Sequence, residues 1–328
     1  MTAQHDAFAK FVAILGRGPG RSRALTREEA REAFGMVLRR EADAHQIGAF
    51  LMLLRFRGED ADEIAGMVEA ARDTFGSPWP SPRVDLDWPS YGAGRTRGAP
   101  WFLLSALALT RAGATVLMHG SNEYSGGISV DAGLRALGLE PANGREDAAA
   151  KLQRGFAYLA LASLSPRMND LLQMRRLFGL RSPVNTVARL LNPGDAAAGV
   201  DGVFHPPYLA VHLGVAERLG RSRLFVLKGG GGEAERVPLK SATGWLWNSS
   251  QGRSEIALPE QQGLAPLTPA SDTPAQLVSA WRGEVAPPTV IATVIATIGL
   301  GLLAMGWATT AEAADRDAEL IWRDRFPA

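Results

Sequence analysis

The segment WFLLSALALTRAGATVLMHG, residues 101–120, contains the pattern that decides the fold class of this chain. Its first part is an apolar run that predicts a helix ending at Gly113. Its second part, ATVLMHG, predicts a short buried strand that ends in a loop. A helix followed by a buried strand is the repeating unit of α/β domains, whose strands lie parallel in a central sheet.

The same alternation continues on both sides of this segment. A strand is predicted around 84–86, close to a proline-rich connector. The elements predicted downstream are a helix in SVDAGLRALGL, a strand at 156–162, helices in SPRMNDLLQMRRLFGL and at 205–220, and a strand in RLFVLKGGGG. Because the connections are short, we predict an α/β domain with a mostly parallel central sheet over residues 79–328.

Residues 1–78 predict a small helical N-terminal domain. Thr26 is placed as the N-cap of a helix, with Glu29 completing a capping box and Leu25 in position for a hydrophobic staple. Two more helices are predicted, at 44–58 and 60–75. We expect helices within residues 165–220 to complete this domain.

Composition narrows the possible functions. The chain has 328 residues, a formal net charge of +1 and no cysteine. The missing thiols exclude disulfides, thiolate metal sites and a cysteine nucleophile. With so small a net charge, a site for a polyanion must come from local clusters of arginine. The first residues carry no secretory pattern, so we expect a cytoplasmic protein.

One apolar stretch, TVIATVIATIGLGLLAMGWA at 289–308, is long enough to cross a bilayer. Its threonines and glycines lower its hydrophobicity, and no pair of basic residues flanks it. We therefore expect a buried core helix and no membrane association, with a membrane span as the alternative.

Two glycine-rich turns follow predicted strands, where anions bind in α/β proteins. The first, at 91–98, lacks the spacing of a P-loop or of a dinucleotide-binding loop, but it contains Arg95 and Arg97. It is either a permissive turn or an anion site. The second, KGGGGEAE at 228–235, is either a backbone nest for an anion or a mobile loop.

Histidine and arginine supply the other candidate site residues. The five histidines show no close metal-ligand spacing, and His119 at a strand end is expected to hydrogen-bond a loop. A run of arginines has few acidic partners four residues away; it comprises Arg167, Arg175, Arg176, Arg181 and Arg189. This run is either a solvated helix face or a contact surface for a polyanion.

Several blocks, taken in order, resemble the anthranilate phosphoribosyltransferase family, which shares its fold with the pyrimidine nucleoside phosphorylases. The blocks are HQIGAFLMLLRFRGEDADEIAGMVEAAR, HGSN at 119–122, DAGLRALGLE, MRRLFGLRSPVNTVARLLNP and GVFHPPYLAVHLGVAERLG. The resemblance implies a helical domain joined by hinges to an α/β domain, and homodimers formed through the helical domain. It also implies that active members bind phosphoribosyl pyrophosphate and Mg²⁺ and transfer ribosyl phosphate to anthranilate. Arg175 matches the family's arginine for the acceptor carboxylate.

The chain departs from this family at the donor site. The family's Gly-Thr-Gly-Gly-Asp loop corresponds to 90–95, where the acid is missing, and its Asn-x-Ser-Thr falls on the apolar 100–103. Of its Asp-Glu metal pair only Glu235 remains, beside Ala234. Because Mg²⁺ requires hard oxygen ligands, no cofactor is expected, with Mg²⁺ and phosphoribosyl pyrophosphate as the alternative.

PSYGAGRTRGAPWFLLSALAL resembles a divergent bacterial branch, labelled glycosyl transferase family protein and associated with DNA and RNA. The leading hypothesis is therefore a nucleic-acid-binding protein that contacts the phosphate backbone with little sequence specificity. The expected contact residues are Tyr91, Gly92, Gly94, Arg95, Arg97, His119, Gly120, Arg175, Arg176 and Arg181. Trp101 or Tyr91 would stack on a base. The alternative is an enzyme, a glycosyl- or phosphoribosyltransferase that acts on a phosphoribosyl pyrophosphate-like donor.

Overall fold

A computed structural model describes residues 3–18, 20–92, 98–121, 123, 126–267 and 273–326. The chain begins with four helices, α1 (Ala3–Gly16), α2 (Arg27–Leu38), α3 (Ala44–Arg57) and α4 (Ala61–Asp73). The predicted capping box is present: the Thr26 hydroxyl accepts from the Glu29 N–H, and the Thr26 N–H donates to the Glu29 carboxylate. Asp43 and Asp60 cap the next two helices in the same way. Acidic and hydroxyl caps thus fix where α2, α3 and α4 begin.

The rest of the chain is built on a seven-stranded sheet. Its strands are β1 (Leu86–Ser90), β2 (Val116–Gly120), β3 (Phe156–Ala160), β4 (Ala198–Val203), β5 (Arg223–Lys228), β6 (Ala242–Asn248) and β7 (Gly252–Leu258). They lie in the order β3-β2-β1-β4-β5-β6-β7, and the first five are parallel. β6 and β7 add an antiparallel hairpin to one edge. The prediction of a mostly parallel α/β sheet is confirmed.

Further helices connect and cover these strands. They are α5 (Trp101–Arg111), α6 (Val130–Ala136), α7 (Arg145–Leu152), α8 (Leu161–Leu164), α9 (Pro166–Gln173), α10 (Arg175–Phe178), α11 (Val184–Arg189), α12 (Pro207–Arg218), α13 (Pro274–Arg282), α14 (Pro288–Met305) and α15 (Ala311–Arg323). A short 3-10 turn, Gly230–Gly232, follows β5.

The sheet separates two hydrophobic cores. Alternate side chains of β5 point to opposite faces, so Leu224 and Val226 join one core and Phe225 and Leu227 join the other. The first core also contains the four N-terminal helices together with α9, α11 and α12. The second contains α5, α14 and α15. One face of the sheet therefore packs against the N-terminal helices together with α9, α11 and α12.

The apolar stretch at 289–308 forms α14, which packs against α5, α15 and the sheet. Within the described residues it is the one helix long and apolar enough to cross a membrane, with a mean hydropathy of 2.0, and 78% of it is buried. A helix that is apolar all round and buried on this scale is typical of a protein core, in agreement with the expectation from the sequence.

Two features differ from the sequence predictions. The single helix predicted in SPRMNDLLQMRRLFGL is divided into α9 and α10, and α10 ends at Gly179 in a left-handed conformation. The antiparallel hairpin of β6 and β7 was not predicted, because its outer strand is largely exposed and polar and therefore lacks a run of buried apolar residues.

Candidate functional site

The site lies where the order of the parallel strands reverses. From β1 the chain proceeds outward through β2 and β3 on one side, whereas β4 and β5 lie on the other side. The loops after β1 and β4 therefore diverge at their carboxyl ends and leave a crevice between them. In open α/β sheets, ligands bind at such a switch point.

A cleft that is partly open to solvent occupies this crevice. One wall comes from α3, and the others come from β4, α11, α12 and the residues that precede α11. The cleft is lined by Arg55, Arg181, Ser182, Asn185, Thr186, Arg189, Gly202, Val203, Phe204, His205, Tyr208 and His212. It thus combines three arginines with hydroxyl, amide and imidazole groups, and none of its lining residues is acidic.

The lining arginines place positive charges close together. Burial and the charges of three nearby arginines lower the pKa of Arg181 to about 10; these are Arg189, Arg175 and Arg55. Arg181 therefore remains charged at neutral pH. Its guanidinium lies 5.7 Å from the centre of the Phe204 ring. Mutually repelling guanidinium groups favour an anion in the cleft.

Arg55 is positioned by a hydrogen-bonded chain. Its Nη1 donates to the Tyr208 hydroxyl over 2.7 Å, and that hydroxyl donates to Glu59 Oε1 over 3.0 Å. Burial raises the pKa of Tyr208 to about 12, so the phenol remains protonated and able to donate. Helix α3 and the connection to α4 thus contribute a fixed cation to the cleft.

Arg189 forms the floor between the loops after β1 and β5. It is 7% exposed, its Nη2 donates to the Tyr91 carbonyl oxygen over 2.7 Å, and its Nη1 donates to the Asn185 carbonyl oxygen over 3.2 Å. Burial lowers the pKa of Arg189, while the nearby carboxylates of Glu233 and Asp201 oppose that shift. This arginine therefore joins α11 to the loop after β1.

Behind this floor lies a buried polar cluster that includes two of the predicted site residues. The Tyr91 hydroxyl lies 2.9 Å from His119 Nδ1, and His119 Nε2 lies 3.2 Å from Asp87 Oδ1. The other carboxylate oxygen of Asp87 accepts from Arg221 over 3.2 Å. Burial raises the pKa of Tyr91 well above its ordinary value. This cluster connects β1, β2 and the start of β5 beneath the site.

The described residues do not fit the Mg²⁺ ion that the resemblance implies. Glu235, the remaining carboxylate of the family's pair, accepts from the Phe102 N–H over 3.0 Å and so caps the start of α5. Among the residues that the structure describes, no group of three or more His, Asp or Glu side chains could hold a metal. We therefore derive no step through a metal ion.

The structure places the predicted site residues in different environments. Gly94, Arg95 and Arg97 lie outside the described residues. Gly92 is buried near the start of the loop after β1, and Gly120 is the buried last residue of β2. Arg181 lines the cleft, but it follows α10 and does not lie on a helix. Arg175 lies close enough to Arg181 to affect its pKa, whereas Arg176 is exposed and is not among the lining residues.

The expected stacking on nucleic-acid bases is wrong. Tyr91 and Trp101 are each 2% exposed, so neither ring has a face for a base. Tyr91 packs edge-to-face on His119, and Trp101 begins α5 within the second core. Both were chosen from their position near a glycine-rich loop, and such a position does not reveal burial.

Sequence reasoning missed Arg55, Tyr208, Asp201 and His212. Arg55 and Tyr208 are separated by 153 residues and meet only in the folded chain. Arg189 was noted in the arginine run but not assigned to the site. One signal could have identified it: VNTVARLL is otherwise uncharged and mostly apolar, and a single arginine in such a run is typical of a buried, paired charge.

Comparisons with known proteins agree with this architecture. Residues 11–75 match the family model described as glycosyl transferase family, helical bundle domain. An anthranilate phosphoribosyltransferase of Myxococcus xanthus (strain DK1622) is 33% identical over 227 residues, which is 68% of this chain and 66% of the relative. That of Geobacillus sp. (strain WCH70) is 30% identical over 302 residues, or 87% of this chain and 86% of the relative. The first four curated relatives are each matched over 62–66% of their own length.

Solved structures extend the likeness to the whole chain. Anthranilate phosphoribosyltransferase from Thermus thermophilus matches with a TM-score of 0.80 and 25% identity, over 98% of this chain and 95% of that one. The enzyme from Saccharomyces cerevisiae in complex with PRPP and Mg matches with a TM-score of 0.76 and 14% identity, over 98% and 94%. At that identity the yeast protein supports the fold alone.

These findings overturn the hypothesis of nucleic-acid binding. The matched relatives and structures are anthranilate phosphoribosyltransferases, which act on small molecules, and none of them indicates a nucleic-acid partner. The physical reason for the error is burial: Arg181 and Arg189 line a cleft and do not form an open basic surface. Spacing along the chain does not distinguish these two arrangements.

Proposed function

Because the chain belongs to the anthranilate phosphoribosyltransferase family, we propose that it is a transferase that moves a phosphorylated pentosyl group to an anionic small molecule. The observation that carries this proposal is the cleft between α3 and α11, with Arg55, Arg181 and Arg189 around it. Charge-assisted hydrogen bonds from Arg55 and Arg181 would hold the carboxylate or phosphate of the acceptor.

The described residues support specific roles in this reaction. Arg181 and Arg55 would orient the acceptor, with Phe204 against the apolar part of the same molecule. Tyr208 would keep Arg55 in place. The donor would lie on the side of Tyr91 and Arg189, with a phosphoribosyl pyrophosphate-like diphosphate as its leaving group. Glu235 already accepts a hydrogen bond from the Phe102 N–H at the start of α5. Measurements of donor binding with and without Mg²⁺ therefore test whether the donor requires the ion.

Calorimetric titration tests this function. Phosphoribosyl pyrophosphate and anthranilate are titrated separately, each with and without Mg²⁺, into the protein and into Arg181→Leu. We expect saturable binding of the acceptor to the parent protein. We expect binding at least about tenfold weaker in Arg181→Leu, because a hydrogen bond to a charged group contributes about 1.5–3 kcal/mol.

The matched control is Arg154→Leu, which removes an exposed arginine that does not line the cleft and should bind like the parent. If neither compound gives a saturable heat in the parent protein under any condition, the proposed function fails. If Arg154→Leu weakens binding as much as Arg181→Leu, the effect reflects overall charge and the cleft is the wrong site.

We also propose the domain division 1–78 and 79–328, with the helices within residues 165–220, α9 to α12, completing the helical domain. Support comes from the first hydrophobic core, which α9 and α11 share with α2 and α4. We further infer a cytoplasmic location, which agrees with the burial of α14.

We propose in addition that the protein forms a homodimer through its helical domain. Phe56 at the end of α3 is 90% exposed, and Leu177 on α10 is 82% exposed. Phe56→Glu is expected to convert a dimer to a monomer, because a buried unpaired carboxylate in an apolar interface is costly. Light scattering coupled to gel filtration measures this. Val285→Glu, at a residue that is 91% exposed in the α/β part, is the control and should remain dimeric.

A further inference from the structure

A histidine and an aspartate meet at the wall of the cleft. Asp201 lies on β4 and His212 on α12, eleven residues apart, because α12 packs back against the strand that precedes it. His212 Nδ1 lies 2.8 Å from Asp201 Oδ2. Asp201 is fully buried, and His212 is 2% exposed and lines the cleft.

The hydrogen bond between His212 and Asp201 indicates which ring nitrogen of His212 carries the proton. An ionised carboxylate can only accept, so Nδ1 carries the proton that is donated to Asp201. In the neutral ring, Nε2 is then the nitrogen with a lone pair.

His119 provides an internal comparison. Its ring is fully buried, it is not among the residues that line the cleft, and both of its nitrogens lie close to polar atoms of Tyr91 and Asp87. That arrangement is typical of a structural histidine. His212 has the same kind of carboxylate partner on one nitrogen but belongs to the cleft wall.

We propose that Asp201 and His212 form a general-base dyad for the acceptor, which rests on the proposed function. The acceptor is an anionic molecule with an N–H or O–H nucleophile, and its acidic group is held by Arg55 and Arg181. As the nucleophile bonds to the anomeric carbon of the donor, the bond from that carbon to the leaving phosphate oxygen breaks. The leaving oxygen keeps the electron pair, and the proton of the nucleophile passes to His212 Nε2. Asp201 is a positioning residue that fixes the ring.

The ¹⁵N resonances of histidine-labelled protein at pH 8 test the dyad without any turnover. Five His→Gln variants assign the five rings. We expect Nδ1 of His212 protonated and Nε2 unprotonated, and we expect Asp201→Asn to abolish this preference. Anthranilate at saturation should shift the Nε2 signal of His212 and leave that of exposed His45 unchanged.

Steady-state kinetics of His212 variants provide the second test of the dyad. His212→Ala should reduce kcat by about 10²–10⁴-fold, the range of general acid–base catalysis, with a small change in KM. Added imidazole should restore part of the activity to His212→Ala but not to Arg181→Leu. Thermal melts of each variant establish that it is folded. His212→Gln is the second variant if the alanine variant unfolds.

The outcomes separate the two proposals. An Nε2–H tautomer or a doubly protonated ring at pH 8 overturns the dyad, as does an Nε2 signal that saturating anthranilate leaves unchanged. If the tautomer is as expected but no donor or acceptor binds, the proposed function fails and the dyad loses its role as a base with it.

Discussion

Replacing Arg189 with methionine is expected to destabilise the protein by about 3 kcal/mol or more, because two hydrogen bonds to a buried charged group are lost and each usually contributes about 1.5–3 kcal/mol. Methionine is an unbranched, flexible side chain that keeps much of the packing volume, but it has no donors. The carbonyl oxygens of Tyr91 and Asn185 would lose their guanidinium partners. The buried carboxylate of Glu233 would lose its nearby positive charge. Urea unfolding followed by circular dichroism measures the loss.

Arg176→Met is the matched control for this prediction. Arg176 is exposed on α10, and substitutions of this kind usually change stability by less than about 0.5 kcal/mol. Adding Glu233→Gln to Arg189→Met should recover part of the loss, since it removes a negative charge that Arg189 no longer offsets. If Arg189→Met alone lowers the free energy of unfolding by less than about 1 kcal/mol, Arg189 does not stabilise the contact between α11 and the loop after β1. Even one lost hydrogen bond to a charged group usually costs more than that.

The fold could be predicted because its signals are local. The capping box of Thr26 and Glu29, and the alternation of helix and strand after residue 101, each depend on neighbours within a few residues. The boundaries of α9 and α10 could not be predicted. A helix-compatible pattern runs through Arg175, and nothing in that pattern marks the break at Met174 between the two helices.

The site could be predicted only in part, because charge and burial are separate properties. The sequence identifies both Tyr91 and His119 as candidate site residues. Both side chains are buried, so Tyr91 cannot stack on a base as expected. The same sequence that suggested a basic surface, RMNDLLQMRRLFGLRS, contributes one arginine to a cleft and leaves another exposed. Arg55 reaches that cleft from a helix more than a hundred residues earlier, a contact that no local spacing encodes.

Gly202→Ala is expected to destabilise the protein by about 1–3 kcal/mol, at the upper end of that range, and to abolish anion binding in the cleft. A Cβ at Gly202 would lie 2.1 Å from the carbonyl carbon of Glu233 and 2.5 Å from the nitrogen of Ala234. Both are backbone atoms, so the turn after β5 must move away from β4. That movement displaces Glu233 from Arg189 and disrupts the floor of the cleft.

Gly230→Ala is the matched control, because it adds the same methyl group within the turn that Gly202 contacts. A Cβ at Gly230 meets nothing within 4 Å, and the residue is exposed. Its stability and its anthranilate affinity should therefore stay close to those of the parent protein. Urea unfolding and calorimetry are measured on both variants. If the two variants have equal stability and equal affinity for anthranilate, β4 and the turn after β5 can move apart without a loss of stability. The position of Glu233 then does not control anion binding in the cleft.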